Sequence, residues 1–397
     1  MNSIKKLLII FLAISFASQA FAKDVPVSFA DLAERLMPSV VNISTTTTVT
    51  TNGNPFPGFQ FPPGSPFEDM FKEFGTPQTR KSAALGSGFI IDKKGIVITN
   101  NHVIQDSEDI VVRVGGDKEY KATIIGADPL SDIAVLQIVS KEKFIPVKFG
   151  DSDKARIGDW VIAIGNPFGL GGTVTSGIIS ARNRSIGLSR YEDYIQTDAS
   201  INSGNSGGPL FDMNGDVIGI NTAILGKGGS IGIGFSIPSN NAQKVVDQLI
   251  EFGETKRGWL GVRIQVVTKE IADVEKLDKP RGALVASVAE KSPSDNAGIK
   301  AGDIILEFNG TKINEMKELP IIVAQTKVGK TVDVKIWRNK KEISKKIKLG
   351  RLETSEDFKE EKKDTKTETP EISEIKSLKI IARLLNKKDI EQRKLPN

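Results

Sequence analysis

The glycine-rich segment Gly204-Asn205-Ser206-Gly207-Gly208-Pro209 contains the most informative candidate for chemistry in this chain. A serine hydroxyl is a weak nucleophile until a neighbouring base accepts its proton. Glycines on both sides allow a tight turn that exposes the hydroxyl and the nearby backbone N–H groups. The segment therefore predicts a nucleophilic serine surrounded by hydrogen-bond donors.

The base has a single candidate, because the 397 residues include one histidine, His102. Asp132 lies between His102 and Ser206, and the order His, Asp, Ser is that of the chymotrypsin-like double β-barrel. The α/β-hydrolase order needs a histidine after the serine, and the subtilisin order needs the acid before the histidine. We expect Ser206 to be the nucleophile, His102 the general base and Asp132 the residue that orients the imidazole.

Asp128 is the alternative acid, four residues earlier and directly before Pro129. Asp132 is preferred because it opens the apolar run over residues 133–138, and strand edges are where rigid scaffolds usually present chemistry. An acid in the sequence Pro-Leu-Ser-Asp can also serve only to form a turn.

Short β-branched runs separated by Gly and Asp turns fill residues 82–240 and predict an all-β barrel domain over 23–253. His102 follows a hairpin-like segment at 88–99, and Ser206 lies between short apolar runs at 195–197 and 217–220. Residues 241–251 predict an amphipathic helix.

Composition limits the cofactors and partners. The absence of cysteine excludes disulfides and thiolate metal sites, and one histidine argues against a zinc site, so we expect no metal and no cofactor. The net charge of +5 is small and dispersed, which argues against nucleic acid as a partner.

Residues 1–22 have the pattern of a secretory signal, with Lys5-Lys6, an apolar stretch and the cleavage site Ala20-Phe21-Ala22. The apolar stretch is shorter than the ~20 residues that span a bilayer, which favours cleavage over an uncleaved anchor. We therefore expect export and a mature chain without a transmembrane segment.

Residues 52–78 contain six of the 19 phenylalanines, mixed with prolines and glycines. Prolines at this density exclude a regular strand, whereas disordered segments are normally poor in aromatic residues. We expect these phenylalanines to find apolar partners in some state of the protein.

Five segments together resemble the signature motifs of the HtrA/Deg (Do-like) serine protease family. They are Thr99-Asn100-Asn101-His102-Val103, Ser131-Asp132-Ile133-Ala134-Val135, Gly204-Asn205-Ser206-Gly207-Gly208, Ala163-Ile164-Gly165-Asn166-Pro167-Phe168-Gly169 and Gly232-Ile233-Gly234-Phe235-Ser236-Ile237-Pro238. The resemblance implies a mainly β fold, a chymotrypsin-like double β-barrel followed by a small α+β PDZ domain. In this family the segment equivalent to 52–78 regulates access to the active site between subunits.

The resemblance to a PDZ domain covers residues 257–350. Trp259, Leu260, Gly261 and Val262 would form the carboxylate-binding loop and the start of the strand that receives a peptide. In such a site an extended C-terminus adds to a sheet edge while backbone amides hold its carboxylate. Some other small α+β domain with a turn at this position is the alternative.

The resemblance also assigns an oxyanion hole and a specificity pocket. The backbone N–H groups of Gly204 and Ser206 would hold the oxyanion, with Asn205 shaping the turn. Ile201, Leu225, Ile231 and Ile233 would line the pocket. Ser200 stands six residues before the nucleophile, so no acid is available for basic side chains, and we expect small aliphatic ones.

Residues 351–377 are dominated by Lys, Glu, Asp and Thr and predict a solvated linker. The partly apolar tail at 378–397 faintly resembles the opening of a second PDZ domain, and an amphipathic helix is the alternative.

As a whole, the resemblance implies an ATP-independent serine endopeptidase of the periplasm that degrades misfolded or damaged envelope proteins. Its expected partners are unfolded polypeptides, C-terminal peptides and copies of itself, as a homotrimer or a multiple of trimers. Two alternatives stay open, a chaperone or holdase and a PDZ-gated sensor protease whose active site is mostly closed.

Overall fold

A computed structural model describes residues 26–51, 78–116, 118–166, 172–187, 189, 191–202, 204–224, 230–355, 358, 372–375 and 380–383. The predicted signal at 1–22, and all of the phenylalanine-rich segment 52–78 except its last residue, lie outside these ranges. Across the described ranges, every helix is too short or too polar to cross a bilayer.

The first six strands form a closed antiparallel barrel in the order β1-β2-β3-β6-β5-β4. β-branched residues alternate along these strands, and one face of each strand fills the barrel interior. Val41, Ile43, Ile90, Val97 and Leu136 are among the fully buried side chains. The strands are β1 (Val40–Thr51), β2 (Gln78–Ile90), β3 (Ile96–Thr99), β4 (Asp109–Val114), β5 (Lys118–Asp128) and β6 (Ile133–Ile138).

The next six strands close a second antiparallel barrel in the order β10-β11-β12-β9-β8-β7. Its interior holds Val161, Ala163, Ile179 and Leu210, each fully buried. The strands are β7 (Trp160–Gly165), β8 (Thr173–Arg184), β9 (Tyr194–Thr197), β10 (Pro209–Phe211), β11 (Val217–Ile224) and β12 (Gly234–Pro238).

The two barrels pack together through an apolar layer that includes Phe89, Ile98, Ile162 and Phe211. Three helices accompany them: α1 (Ala30–Leu36), α2 (Asn101–Ile104) and α3 (Ser239–Phe252). Helix α3 adds Ala242, Val246 and Leu249 to the same layer. It ends at Gly253, whose left-handed φ of 72° lets its N–H bond the Leu249 carbonyl.

A smaller α+β unit follows the barrels and has its own apolar core. Its main sheet runs β14-β15-β16-β18-β19, with β17 beside β16, while its first and last strands, β13 and β20, pair with each other. The strands are β13 (Gly258–Trp259), β14 (Val262–Val266), β15 (Ala283–Val288), β16 (Ile304–Phe308), β17 (Thr311–Lys312), β18 (Thr331–Arg338), β19 (Lys341–Lys348) and β20 (Gly350–Arg351). The helices are α4 (Lys269–Glu275), α5 (Pro293–Asn296) and α6 (Glu318–Gln325).

Two further strands, β21 (Ile372–Ile375) and β22 (Ile380–Arg383), form an antiparallel hairpin. Regular pairing thus begins inside the stretch that composition predicts to be a solvated linker. The double barrel followed by a smaller α+β unit confirms the predicted fold class.

Candidate active site

His102 and Asp132 meet at the edge of the first barrel, where His102 lies in helix α2 after β3 and Asp132 directly precedes β6. The Nδ1 atom of His102 lies 2.7 Å from Oδ2 of Asp132, and the backbone N–H of His102 donates to Oδ1 at 2.9 Å. The carboxylate thus binds both the ring and the main chain of the histidine, which fixes the plane of the imidazole. With Nδ1 engaged by the carboxylate, Nε2 is the ring nitrogen left to exchange protons.

Two further residues hold Asp132 in place. The Thr222 hydroxyl donates to Oδ2 at 2.7 Å, and the Asn100 side-chain amide donates to the backbone carbonyl of Asp132 at 2.8 Å. Asp132 has a left-handed backbone, with a φ of 56°. Such a conformation costs a non-glycine residue about 1–3 kcal/mol and persists only where surrounding contacts impose it.

Asp128, the alternative acid, contacts a different partner. It is buried, 3% exposed, and its carboxylate pairs with the guanidinium of Arg257. Burial alone would raise the pKa of Asp128, but the bonds from Arg257 and Ser131 outweigh it and lower the pKa below its usual value. Asp132, rather than Asp128, is the carboxylate at the imidazole.

The loop that carries Ser206 is fixed from both barrels. The backbone carbonyl of Ser206 accepts from the N–H of Ser87 in the first barrel at 2.9 Å. The N–H of Gly207 donates to the carbonyl of Asn221 in the second barrel at 2.7 Å. Gly207 has a φ of 82°, and a Cβ there would lie 2.3 Å from both the Ser87 carbonyl and the Thr99 hydroxyl. Only glycine fits this position, so the second glycine of the motif is a packing requirement.

Two backbone amides at the serine turn are available to a ligand. Within the described part of the chain, neither Gly204 N–H nor Ser206 N–H has a hydrogen-bond acceptor. The intervening Asn205 is buried, and its own N–H donates to the Asn202 carbonyl at 3.0 Å. The turn therefore presents two donors that a developing oxyanion could use.

Among the described residues, neither the Ser206 hydroxyl nor Nε2 of His102 has a hydrogen-bond partner, and the imidazole is bonded only through Nδ1, to Asp132. The His102 side chain is 46% exposed, so the ring is open to an incoming substrate. Catalytic hydrogen bonds are often completed only when substrate binds.

The residues predicted to line a specificity pocket occupy different environments. Ile201 is 1% exposed and packs in the second barrel, where a Cβ on Gly234 would lie 2.5 Å from its Cγ1. Ile233 is half-buried, and Ile231 is 66% exposed. Leu225 lies outside the described residues.

The predicted carboxylate-binding loop joins β13 to β14. Leu260 is 3% exposed and belongs to the core of the C-terminal unit, while Trp259 and Val262 are half-buried. Gly261 has a φ of 77°, and its carbonyl accepts from the N–H of Ala289 at 2.9 Å. Among described residues, no acceptor is bonded to the N–H of Leu260 or of Gly261. A ligand at this loop would therefore be held by backbone donors.

Sequence reasoning does not identify Thr222, Ser87 or Arg257. Each is a single residue in a strand or beside one, separated from its partner by 90, 117 or 129 positions. The Ser87 hydroxyl donates to the Gly204 carbonyl and accepts from the Asn166 N–H. No local spacing signals such pairs, because the barrels bring them together.

Two family models match the chain. The Trypsin-like peptidase domain matches residues 86–220, and the PDZ domain matches residues 258–349. The first range falls within the double barrel, and the second covers most of the C-terminal unit.

Curated relatives extend across both regions. The chain is 47% identical over 341 residues to a "Probable periplasmic serine endoprotease DegP-like" of Brucella suis biovar 1, covering 79% of this chain and 66% of that protein. The protein of the same name from Bartonella henselae is 45% identical over 351 residues, covering 84% of this chain and 70% of its own length. The chain thus spans about two-thirds of the length of these relatives.

The chain also resembles solved structures of proteases. The "HtrA-type protease AlgW with decapeptide" is 39% identical with a TM-score of 0.67, over 82% of this chain and 99% of that one. The serine endoprotease from Yersinia pestis is 33% identical with a TM-score of 0.57, over 83% of this chain and 100% of that one.

Proposed function

Because this chain belongs to the family of HtrA-type, DegP-like serine proteases, we propose that it is an ATP-independent serine endopeptidase. The observation that carries the proposal is the 2.7 Å contact between His102 Nδ1 and Asp132 Oδ2, which leaves Nε2 as the base. The motif around Ser206 supplies the nucleophile on the facing barrel.

In this mechanism the Ser206 hydroxyl attacks the scissile carbonyl while His102 Nε2 takes its proton. Asp132 keeps the proton of Nδ1 in place and stabilises the imidazolium that forms. The free N–H groups of Gly204 and Ser206 hold the oxyanion. His102 then returns the proton to the leaving amine, and water releases the acyl group from Ser206 by the same steps.

The PDZ domain would bind the C-terminus of a substrate. The free N–H groups of Leu260 and Gly261 suit a carboxylate, and β14 offers an edge to which an extended peptide can add. One solved relative is described with a decapeptide, which supports the proposal that this chain also binds peptides. Trp259 and Val262 flank this loop and would contact the peptide.

The substrates proposed are misfolded or damaged envelope proteins, cleaved after small aliphatic residues. The location proposed is the periplasm, supported by the names of the relatives and by the predicted signal. The assembly proposed is a homotrimer or a multiple of trimers, and nucleic acid is not an expected partner.

The test is digestion of unfolded casein by the wild-type chain and by Ser206→Ala. We expect cleavage by the wild type and none by the variant, with both equally folded by circular dichroism. Cleavage by both at the same rate, with contamination excluded, would overturn the triad. Protection of unfolded clients from aggregation without cleavage by either would favour a holdase, and cleavage only after a C-terminal peptide is added would favour a sensor protease.

A further inference from the structure

The turn from Asp128 to Asp132, which joins β5 to β6, faces a cavity on one side. Residues 129–133 all line this cavity of about 360 Å³, which lies between the two barrels, helix α3 and helix α6 of the PDZ domain. A turn that is packed within a core is held in place by side-chain contacts on all sides. Because this turn faces a cavity, hydrogen bonds and an ion pair hold it in place instead.

Those contacts come from three directions. The Asp128 Oδ2 atom accepts from the backbone N–H of Ser131 at 3.1 Å and from its hydroxyl. The carbonyl of Leu130 accepts from Ser189 at 3.0 Å, and that of Asp132 accepts from Asn100 at 2.8 Å. Together they keep Asp132 in its left-handed conformation beside His102.

Arg257 anchors the first of these contacts. Its Nη1 lies 2.9 Å from Asp128 Oδ1, and its Nη2 donates to Oδ2, so the guanidinium binds the carboxylate in a bidentate manner. The side chains are 7% and 4% exposed. The same Oδ2 atom accepts from both Arg257 and Ser131, so a single oxygen connects Arg257 to the residue that precedes Asp132.

The main chain of Arg257 belongs to the base of the PDZ domain. Its N–H donates to both carboxylate oxygens of Glu353 at 3.2 Å, and its carbonyl accepts from the N–H of Leu352 at 3.0 Å. These bonds extend the pairing of β13 with β20. The main chain of Arg257 is therefore bonded to the PDZ domain, while its guanidinium is buried against Asp128 of the protease domain.

We propose that Arg257 is a positioning residue for the His102–Asp132 pair, and that its ion pair with Asp128 sets the geometry of the turn that carries the catalytic carboxylate. The inference rests on the proposed protease function. Arg257 does not touch the reacting atoms. It acts through Asp128 and Ser131, which hold the catalytic carboxylate at the imidazole.

The chain provides a matched control for this ion pair. Within the PDZ domain, Arg338 Nε lies 2.6 Å from Asp303 Oδ1 and Nη2 lies 2.7 Å from Oδ2, and the Asp303 side chain is 2% exposed. This pair has the same chemistry and a buried carboxylate but no bond to the catalytic turn. Its loss should affect the stability of the PDZ domain and leave the protease geometry unchanged.

The kinetic test compares Arg257→Met with Arg338→Met in the full chain, on a short peptide reporter with a blocked C-terminus. Misplacement of a catalytic group by about 1 Å can cost about 100-fold, so we expect kcat to fall about 10- to 100-fold in Arg257→Met with KM changed less than about threefold. Arg257→Lys keeps one charged donor and should recover part of the loss. Arg338→Met should retain kcat within about twofold.

A spectroscopic test follows from the single histidine. In protein labelled with ¹⁵N-histidine, one imidazole N–H signal reports on the bond between His102 and Asp132. We expect this signal to shift or to exchange faster in Arg257→Met and to match the wild type in Arg338→Met. A pair with only a structural role would lower the melting temperature and leave this signal in place.

Ser131→Ala tests the same connection without unpairing a buried charge, and it serves if Arg257→Met does not fold. We expect it to lower kcat in the same direction and by less. Wild-type kcat and an unshifted imidazole signal in whichever of the two variants folds would overturn the inference. Equal hydrolysis by the wild type and Ser206→Ala would instead overturn the proposed catalytic triad, so the two failures are distinguishable.

Discussion

Asp128 and Asp132 stand at the two ends of one turn, and their carboxylates bind different partners. Asp132 contacts the imidazole of His102 at 2.7 Å, and Asp128 pairs with the buried guanidinium of Arg257. Although they are only four residues apart, Asp132 is placed to orient the imidazole and Asp128 is placed to bind the guanidinium of Arg257. Each of the two can be tested by a substitution that leaves the other in place.

Replacing Asp132 with Asn should lower kcat on a short peptide by about 10⁴-fold, because an amide holds the imidazole in the wrong tautomer. Steady-state kinetics of the purified variant measure this. Asp198→Asn is the control, since Asp198 lies near the site but bonds only the N–H of Ile178 in the described structure. A plateau rate for Asp132→Asn within tenfold of wild type would contradict the assignment.

Replacing Thr222 with Val removes the hydroxyl that donates to Asp132 Oδ2 at 2.7 Å. A hydrogen bond to a charged group is worth about 1.5–3 kcal/mol, so we expect kcat to fall at least about tenfold. Thr222→Ser keeps the hydroxyl and should retain most of the activity. Equal kinetics of the two variants would mean that the hydroxyl does not act on Asp132.

Replacing Gly261 with Ala should weaken binding of peptides with a free C-terminus. A Cβ at this position would lie 2.2 Å from Cβ of Ser292, so the carboxylate-binding loop would have to shift. Gly329→Ala is the control, since Gly329 has a similar φ of 79° and nothing within 4 Å. We expect a higher Kd by fluorescence anisotropy in the first variant alone, and unchanged affinity there would argue against this loop as the site.

The Asp128–Arg257 pair should make stability depend on pH in acid. Because the pKa of Asp128 is lowered in the folded chain from an ordinary value of 3.8, its contribution is complete above that value and is lost as the pH falls below it. Asp128→Asn breaks a buried pair and should cost about 3 kcal/mol in the free energy of unfolding near pH 7. In denaturant unfolding, the difference in free energy of unfolding between the wild type and Asp128→Asn should stay constant down to about pH 5 and become smaller below about pH 4.

Asp151→Asn is the control for the pH series. The pKa of Asp151 is also lowered, mainly by a hydrogen bond with Asn240, but its side chain is 44% exposed. Solvent screens exposed pairs, so this variant should stay close to the wild type throughout. If the free energy of unfolding of Asp128→Asn differed from that of the wild type by the same amount from pH 7 to pH 3, the ionisation of Asp128 would not stabilise the fold.

The sequence predicted an all-β barrel domain because strand periodicity and turn residues are local signals. It placed His102, Asp132 and Ser206 at strand edges for the same reason, and the order of these three residues along the chain indicated the double barrel. The resemblance to the HtrA/Deg family, carried by five motifs, is confirmed by the relatives and the solved structures.

The supporting residues could not be predicted in this way. Thr222 and Arg257 reach the catalytic turn through tertiary packing, and neither residue type nor spacing marks them. The burial of two predicted binding residues also depends on tertiary packing: Ile201 is 1% exposed and Leu260 is 3% exposed, each in the core of its own domain.

The pairing of β13 with β20 means that the polypeptide enters and leaves the PDZ domain at one point. Arg257 lies just before this point, and Glu353, which bonds the backbone of Arg257, lies just after it. Mechanical tension on the chain beyond β20 would therefore load this junction directly, without first passing through the PDZ core. A tether or a bound partner on the C-terminal side of the PDZ domain would thus pull on the arginine that holds the catalytic turn.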